Sequence, residues 1–349
     1  MAPRLCFFFF PLFISSFTPV QAQTMASALA SQYGLATSTA FPFPTSTLSS
    51  NDAASHVVSQ WSLGGGRIQE GANDIAFVQD PFPNSVPIGS SGGTPGNGNS
   101  SVLEITYPKG SFSHDTGGAQ WYNLWNTSDG SSFNSMLLSY ELAFDSSFEW
   151  VKGGKLPGLR GGLEGTGCSG GNSTPNGKEC FSSRLMWRKD AEGEVYAYIP
   201  SPNDLCKDKD VICNSDFGIS LQRGVFGFIS GQWLRVTMLV RMNDPPNIAN
   251  GEIQVYYNDR IAVSKQGLQI RSVDTLHVNG LFFSTFFGGS DKSWATPDTT
   301  HTYYRNIALW GSSAPSNLTG DPVRSAASLT SSIPTATLIL FCLSITLLF

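Results

Sequence analysis

Residues 231–243 read GQWLRVTMLVRMN. Leu234, Val236, Met238, Val240 and Met242 fall on one parity, and Arg235, Thr237 and Arg241 on the other. Period-two alternation marks a half-buried antiparallel strand, one face on a core and one face away from it. The next stretch repeats the pattern: Ile253, Val255 and Tyr257 alternate with Glu252, Gln254 and Tyr256. Asn258-Asp259 then turns the chain into Ile261 and Val263, a hairpin signal. Residues 280–291, GLFFSTFFGGSD, are aromatic-rich without alternation, which suits a strand buried on both faces. No long segment has helical apolar spacing. From Trp61 to Trp310 the chain therefore reads as an all-β fold, a jelly roll or concanavalin-like antiparallel β-sandwich, with glycine-rich turns between strands.

The two ends carry processing signals. Residues 1–22 have Arg4, an apolar run and a small-residue site at Ala22, the layout of a secretory signal peptide. Residues 23–60 are small and polar, with a Pro-Phe-Pro cluster, and are expected to form a short helix followed by a linker to a 61–311 domain. Residues 312–332, rich in Ser, Ala and Thr, are expected to be a stalk with an anchor site, and 333–349 the hydrophobic tail of a GPI-type signal. That tail is at the short limit for spanning a bilayer and has no basic flank. The expected location is the cell surface or cell wall, reached by secretion, with the membrane contacted through the lipid anchor.

An oxidising compartment agrees with the cysteines. Cys168, Cys180, Cys206 and Cys213 remain once the ends are removed. Four cysteines allow three pairings; Cys168–Cys180 with Cys206–Cys213 is favoured because each pair closes a polar, turn-rich loop. Zinc is the competing reading, and the chain has no C-x-x-C and no histidine near the cysteines in sequence. Sequons stand at Asn99, Asn126, Asn172 and Asn317. A net charge of −5 with 13% charged residues argues against nucleic acid as a partner, and a 40% hydrophobic content supplies a sizeable core. The protein is expected to be a monomer.

Candidate chemistry concentrates in CFSSRLMWRKDAEGEVYAYIP, residues 180–200. Two alternating strands flank the turn KDAEGE. Ser182, Arg184, Met186 and Arg188 share a face, and so do Tyr196 and Tyr198. A register with an even index sum puts Ser182, Arg184, Tyr196 and Tyr198 on one side of the sheet. Arginine binds carboxylates bidentately, and tyrosine both stacks on sugars and moves protons. The plain alternative is an amphipathic hairpin with a solvated polar face. Gln120 and Tyr122 share a face on a further strand, with His114 in the loop before it, read as an ordinary loop histidine. The segment 290–310 carries Trp294, Asp298, His301, Tyr303 and Tyr304, aromatics that fit either core or rim. The stretch WVKGGKLPGLRGG, residues 150–162, reads as a glycine-rich turn bearing one lysine, Lys155. No close Asp/Glu pair, G-x-S-x-G elbow, HExxH, Walker A or Rossmann fingerprint is present, which disfavours glycosidase, α/β-hydrolase, zincin and nucleotide chemistry.

GGKLPGLRGG, CFSSRLMWR with VYAYIP, GQWLRVTMLVRMN and GLFFSTFFGGSDKSW together resemble polysaccharide lyase family 14 and its fungal relatives, over roughly residues 60–310. The resemblance implies a secreted β-jelly roll that cleaves uronate polysaccharides, alginate or glucuronan, by β-elimination. It also implies a motif of a loop lysine, S-x-R on one strand and Y-x-Y on the next. These fall here on Lys155, on Ser182 and Arg184, and on Tyr196 and Tyr198. Lys155, Arg184, Tyr196 and Tyr198 are then the catalytic candidates, and Ser182, Gln120, Tyr122 and Arg188 the substrate-binding ones. Arg184 would neutralise the uronate carboxylate, Lys155 or a tyrosine would take the C5 proton, and a tyrosine would protonate the leaving oxygen. No metal or cofactor is required by this scheme. A non-catalytic carbohydrate-binding jelly roll at the cell surface is the alternative, and a concanavalin-like glycoside hydrolase a third reading.

Overall fold

A computed structural model describes residues 25–87, 101–162, 168, 175–214 and 218–324. In chain order the elements begin with α1 (Met25–Gln32), β1 (Thr37–Ala40), α2 (Ser50–Gln60), β2 (Ile75–Val78), β3 (Val102–Tyr107) and β4 (Ala119–Leu124). They continue with β5 (Ser135–Phe144), β6 (Gly153–Gly162), β7 (Cys180–Arg188), β8 (Gly193–Tyr198), β9 (Val211–Ile212) and β10 (Ile219–Leu221). The last are β11 (Leu234–Arg241), β12 (Ile248–Ala249), β13 (Gly251–Tyr257), β14 (Arg260–Leu268), β15 (Val278–Phe287), β16 (Thr300–Ser312) and β17 (Asp321–Pro322). Two antiparallel sheets face each other. One has the order β14-β13-β11-β5-β16-β3-β2, with β1 also on β16; the other is β4-β15-β6-β7-β8-β10-β9. The all-β sandwich read from the alternation is the fold observed.

The alternation translates directly into the core. Leu234, Val236, Met238 and Val240 from β11 are buried in the same cluster as Phe181, Leu185 and Trp187 from β7 and Leu281, Phe283 and Phe287 from β15. Sandwich cores form this way because the two inner faces exclude water together. Trp121 stacks on Phe283 at 4.0 Å between ring centres. Buried hydroxyls are matched among themselves: Tyr107 pairs with Thr302 at 2.8 Å, and Tyr304 donates to Thr285 at 3.1 Å.

The β13–β14 hairpin has the two-residue turn expected, with Asn258 and Asp259 both at positive φ (47° and 63°). A bulge then shifts the register so that Val263 stays buried while Ile261 is 53% exposed. Strict alternation places both on one face, and the extra residue reverses it.

Three sequence expectations are corrected. Residues 23–60 are not a linker where described. Leu29 and Ala30 of α1 pack on Leu137 and Leu239, β1 pairs with β16, and α2 buries Ala53 and Val57 in the main core. Alanine-rich helices bury little area per residue, so their stripe is faint in sequence. The described part of the 312–332 stalk is also packed on the domain. Ser316 donates to the Asn250 carbonyl (2.9 Å), β17 pairs with β12, and the Arg324 amide reaches Asn203 (2.8 Å). The third correction concerns residues 150–162, where the chain from Gly153 onward, Lys155 included, forms not a turn but β6, an interior strand between β15 and β7. The signal peptide, the hydrophobic tail, Asn99 and Asn172 lie outside the described residues. Asn126 and Asn317 are exposed, as a glycan acceptor must be. Among the described residues no helix is long and apolar enough to cross a membrane.

The glycines of β6 serve close approach. A Cβ on Gly154 would lie 2.1 Å from the Trp187 indole, and one on Gly158 would lie 2.0 Å from the Ser183 carbonyl oxygen. Pro157 sits at a register shift in the pairing with β7, where a missing N–H does least harm, and its carbonyl accepts from Tyr140 of the other sheet at 3.0 Å. Gly158→Ala therefore forces backbone apart. It is expected to lower the free energy of unfolding by ~1–3 kcal/mol, read from urea denaturation. An unchanged midpoint would show that the strands have room to spare.

Candidate active site

The face of the second sheet turned away from the core carries the candidate residues in rows set by the strand registers. One row is Arg160, Ser182 and Tyr198; the next is Phe282, Gly158, Arg184 and Tyr196; the third is Phe286, Lys155, Met186 and Glu194. Tyr122 extends the second row through Phe282, and Gln120 lies opposite Ser284. The even-sum register expected for the 180–200 hairpin is the one found, Ser182 against Tyr198 and Arg184 against Tyr196. The structure thus brings together Lys155, Ser182, Arg184, Arg188, Tyr196, Tyr198, Gln120 and Tyr122. His114 stays in an exposed loop beside Asp115 at 2.8 Å. Of the undecided aromatics, Tyr304 is core, while Tyr303 lies with His301 on the outer side of the first sheet, both bonded to Asp145.

The contacts are short and dry. Lys155 Nζ lies 2.8 Å from Met186 Sδ and 3.5 Å from the centre of the Tyr196 ring. Arg184 is fully buried; its guanidinium lies 4.4 Å over Phe282, across side-chain-free Gly158, and donates to Ser284 Oγ at 2.9 Å. Ser284 Oγ donates on to Gln120 Oε1 at 3.1 Å, so Gln120 is held by its carbonyl end. Tyr196 and Tyr198 hydroxyls stand 3.5 Å apart, and the Gly218 amide donates to Tyr196 at 3.1 Å. Arg160 lies 4.8 Å over Tyr122 and donates to Asn279 at 3.0 Å.

A solvated polar face is therefore ruled out: Ser182, Arg184 and Glu194 are at 0% exposure, and Lys155 is at 9%. Part of the cover is Cys168, which packs against the cluster of Met186, Tyr196 and Tyr198 and accepts a 2.5 Å hydrogen bond from Ser182 through its carbonyl. Cys168 is bonded to Cys180, and Cys206 to Cys213, the local pairing favoured from sequence.

The chain matches the family model Polysaccharide lyase 14 over residues 95–307. It belongs to that family. A solved structure, the PL-14 alginate lyase from Aplysia kurodai, is 33% identical, with 78% of this chain and 100% of that one covered at a TM-score of 0.61. Alginate lyase vAL-1 from Chlorella virus is 21% identical, covering 76% of this chain and 99% of that one, with a TM-score of 0.52. Alginate lyase Aly36B, solved as a double variant in complex with alginate tetrasaccharide, is 18% identical, covering 82% of this chain and 98% of that one, with a TM-score of 0.55. At such identities the last two show the fold. No curated protein matches the chain. The protein is a polysaccharide lyase of family 14.

The electrostatics of this lyase follow from the burial. Burial, then the charges of Arg184 and Arg188, push the Lys155 ammonium well below its ordinary value of 10.5, with Glu194 opposing weakly. Burial brings Arg184 down to about 10, so it stays charged at neutral pH. Burial and the neighbouring Tyr198 raise Tyr196 above 10.0, so it keeps its proton. Burial works against the Glu194 charge, yet Arg188, Ser220 and Arg223 hold its carboxyl below the usual range.

Several residues on this face were not singled out from the sequence. Glu194 was within reach, since it shares the parity of Tyr196 and Tyr198, but it reads as part of the turn KDAEGE. Arg160, Ser284 and Arg223 needed the strand pairing, which no local pattern shows.

The buried lysine has a stability signature. Unfolded Lys155 holds its proton up to about pH 10.5, whereas the folded one gives it up lower. The folded state is thus penalised at neutral pH, and the penalty fades as pH rises toward 10.5. Lys155→Met, of similar length, is expected to raise the unfolding free energy by at least ~1 kcal/mol at neutral pH, with the gain shrinking at alkaline pH. A variant less stable than the parent across the whole pH range contradicts this.

Proposed function

We propose that this lyase cleaves a uronate polysaccharide of the alginate or glucuronan type by β-elimination, outside the cell. The observation that carries the reading is a lysine buried among arginines and a tyrosine pair on a sheet face. Elimination needs a weak C5–H acid made stronger, a base and a proton donor. Arg184, fixed in charge and water-free, supplies the field that stabilises a uronate carboxylate as negative charge develops beside it. Lys155, its hold on a proton weakened by burial, takes the C5 proton. The C–H electron pair forms the C4–C5 double bond as the C4–O4 bond breaks. Tyr198, next to the proton-holding Tyr196, gives its proton to the departing O4. Gln120, held through its carbonyl oxygen by Ser284, keeps its amide donors for substrate hydroxyls, and Ser182, Tyr122 and Arg188 line the same face.

The alginate lyases of known structure support this substrate class, since the one from Aplysia kurodai is 33% identical. Extracellular action, by secretion to the cell surface or wall, is supported by the two disulfides and by the sequence of both ends, with the C-terminal tail directing a lipid anchor.

Incubation with alginate, glucuronan and a neutral β-glucan, followed by the absorbance of the unsaturated uronate, tests the reading. Activity on a polyuronate and none on the β-glucan is expected. Lys155→Ala and Tyr198→Phe should each lower kcat at least ~100-fold while near-ultraviolet circular dichroism is retained. The profile of kcat/KM should fall at acid pH as Lys155 protonates. Absence of product from every polyuronate would overturn the substrate class, and full activity in both variants would overturn the roles.

A further inference from the structure

We propose that Arg188 and Arg223, yoked by the buried carboxylate of Glu194, form a second carboxylate-binding subsite that holds a uronate of the same polymer away from the reacting one. The inference rests on the polyuronate reading above.

Glu194 is at 0% exposure on β8, in the row of Lys155 and Met186. Its Oε1 accepts from Arg188 Nε (2.8 Å) and lies 2.6 Å from Arg188 Nη2. Its Oε2 accepts from Arg223 Nε (2.5 Å) and from Ser220 Oγ (2.5 Å). One carboxylate thus fixes two guanidiniums, and one positive charge is left over. Among the described residues no other carboxylate lies within ion-pair distance of either arginine.

The opposite sheet shows the contrasting balance. There Arg235 pairs with Glu141 and Asp259, and Arg305 with Glu141 and Asp80, so three carboxylates enclose two arginines. That cluster is closed on itself. The Glu194 cluster is not, and its arginine side chains keep 17% and 33% exposure. A guanidinium has five donors, and the forked nitrogens of Arg223 make no bond to Glu194 beyond Nε. Such a preset fork suits a carboxylate of the ligand.

Arg188 stands four residues beyond Arg184 on the same face of β7, about 13 Å away at ~3.3 Å per residue. Lys155 lies between them, opposite Met186. Ser284 and Phe282 hold the Arg184 guanidinium toward β15, and Glu194 holds that of Arg188 toward β8 on the other side of β7, so the two diverge and the Arg188–Arg223 pair takes a different uronate from the one beside Arg184. Specificity for a chain with repeated carboxylates follows, since a single charged unit would fill one subsite only.

Arg223→Gln, in the whole chain, separates this from a structural role. Initial rates on polymeric alginate and glucuronan are measured for parent and variant, with thermal melting as a control on folding. On the substrate the parent cleaves, KM is expected to rise about tenfold, the value of one charge-assisted hydrogen bond, with kcat changed less than threefold. Arg223→Lys should recover part of the loss, and added salt should weaken the parent more than the glutamine variant. A KM within twofold of the parent overturns the subsite, as does a loss confined to kcat. If the parent cleaves neither polymer, the substrate reading fails, and the subsite is judged by electrophoresis through gels containing each polymer. Retardation of the parent that is lost in Arg223→Gln supports it, and equal mobility overturns it.

Discussion

A lysine buried against a methionine sulfur and a tyrosine ring, with arginines as its charged neighbours, is the constraint on which the site depends. An ammonium in such a place is expensive, and its cheapest response is to lose the proton. The surrounding structure enforces that outcome. β6 runs so close to β7 and β15 that its glycines cannot carry side chains, and Met186 and Tyr196 pack directly on the Lys155 ammonium. The same closeness lets the Arg184 guanidinium lie across Gly158 onto Phe282. Strand packing and proton affinity are thus one property here.

The two sheets divide the work. Their inner faces build an apolar core rich in aromatics, which fixes the registers. The registers then decide which polar groups meet on the outer side of the second sheet. On the first sheet, arginines are balanced by a surplus of carboxylates and hold strands together. On the second, arginines exceed carboxylates, so that face attracts anions even though the chain carries a net charge of −5. Cys168, fixed by its disulfide to Cys180, covers one end of that face, and its backbone carbonyl accepts from Ser182.

The sandwich was legible because β11, β13, β7 and β8 alternate cleanly, and alternation survives without knowledge of partners. The hairpin chemistry was legible for the same reason: parity alone put Ser182, Arg184, Tyr196 and Tyr198 together. Lys155 was found but misplaced. Glycine and proline usually mark turns, and nothing local says that Gly154 makes room for Trp187 or Gly158 for a neighbouring carbonyl. Ser284 reaches the site from β15 and Arg223 from the turn after β10, so only the pairing of β15 with β6 and of β10 with β8 reveals them. The depth of burial was equally hidden, since a polar parity looks the same whether water or Cys168 covers it. A short helix was expected before residue 61, but the second one, α2, was missed because its buried side chains, Ala53 and Val57, are small.

The fold lowers the proton affinity of Lys155 well below that of an ordinary lysine. Heteronuclear NMR of the lysine side chains, with Lys155 assigned by its loss in Lys155→Met, measures this directly. The Lys155 ε-carbon and ζ-nitrogen shifts are expected to titrate well below the ordinary 10.5. A Lys155 that remains protonated up to about 10.5 would contradict it.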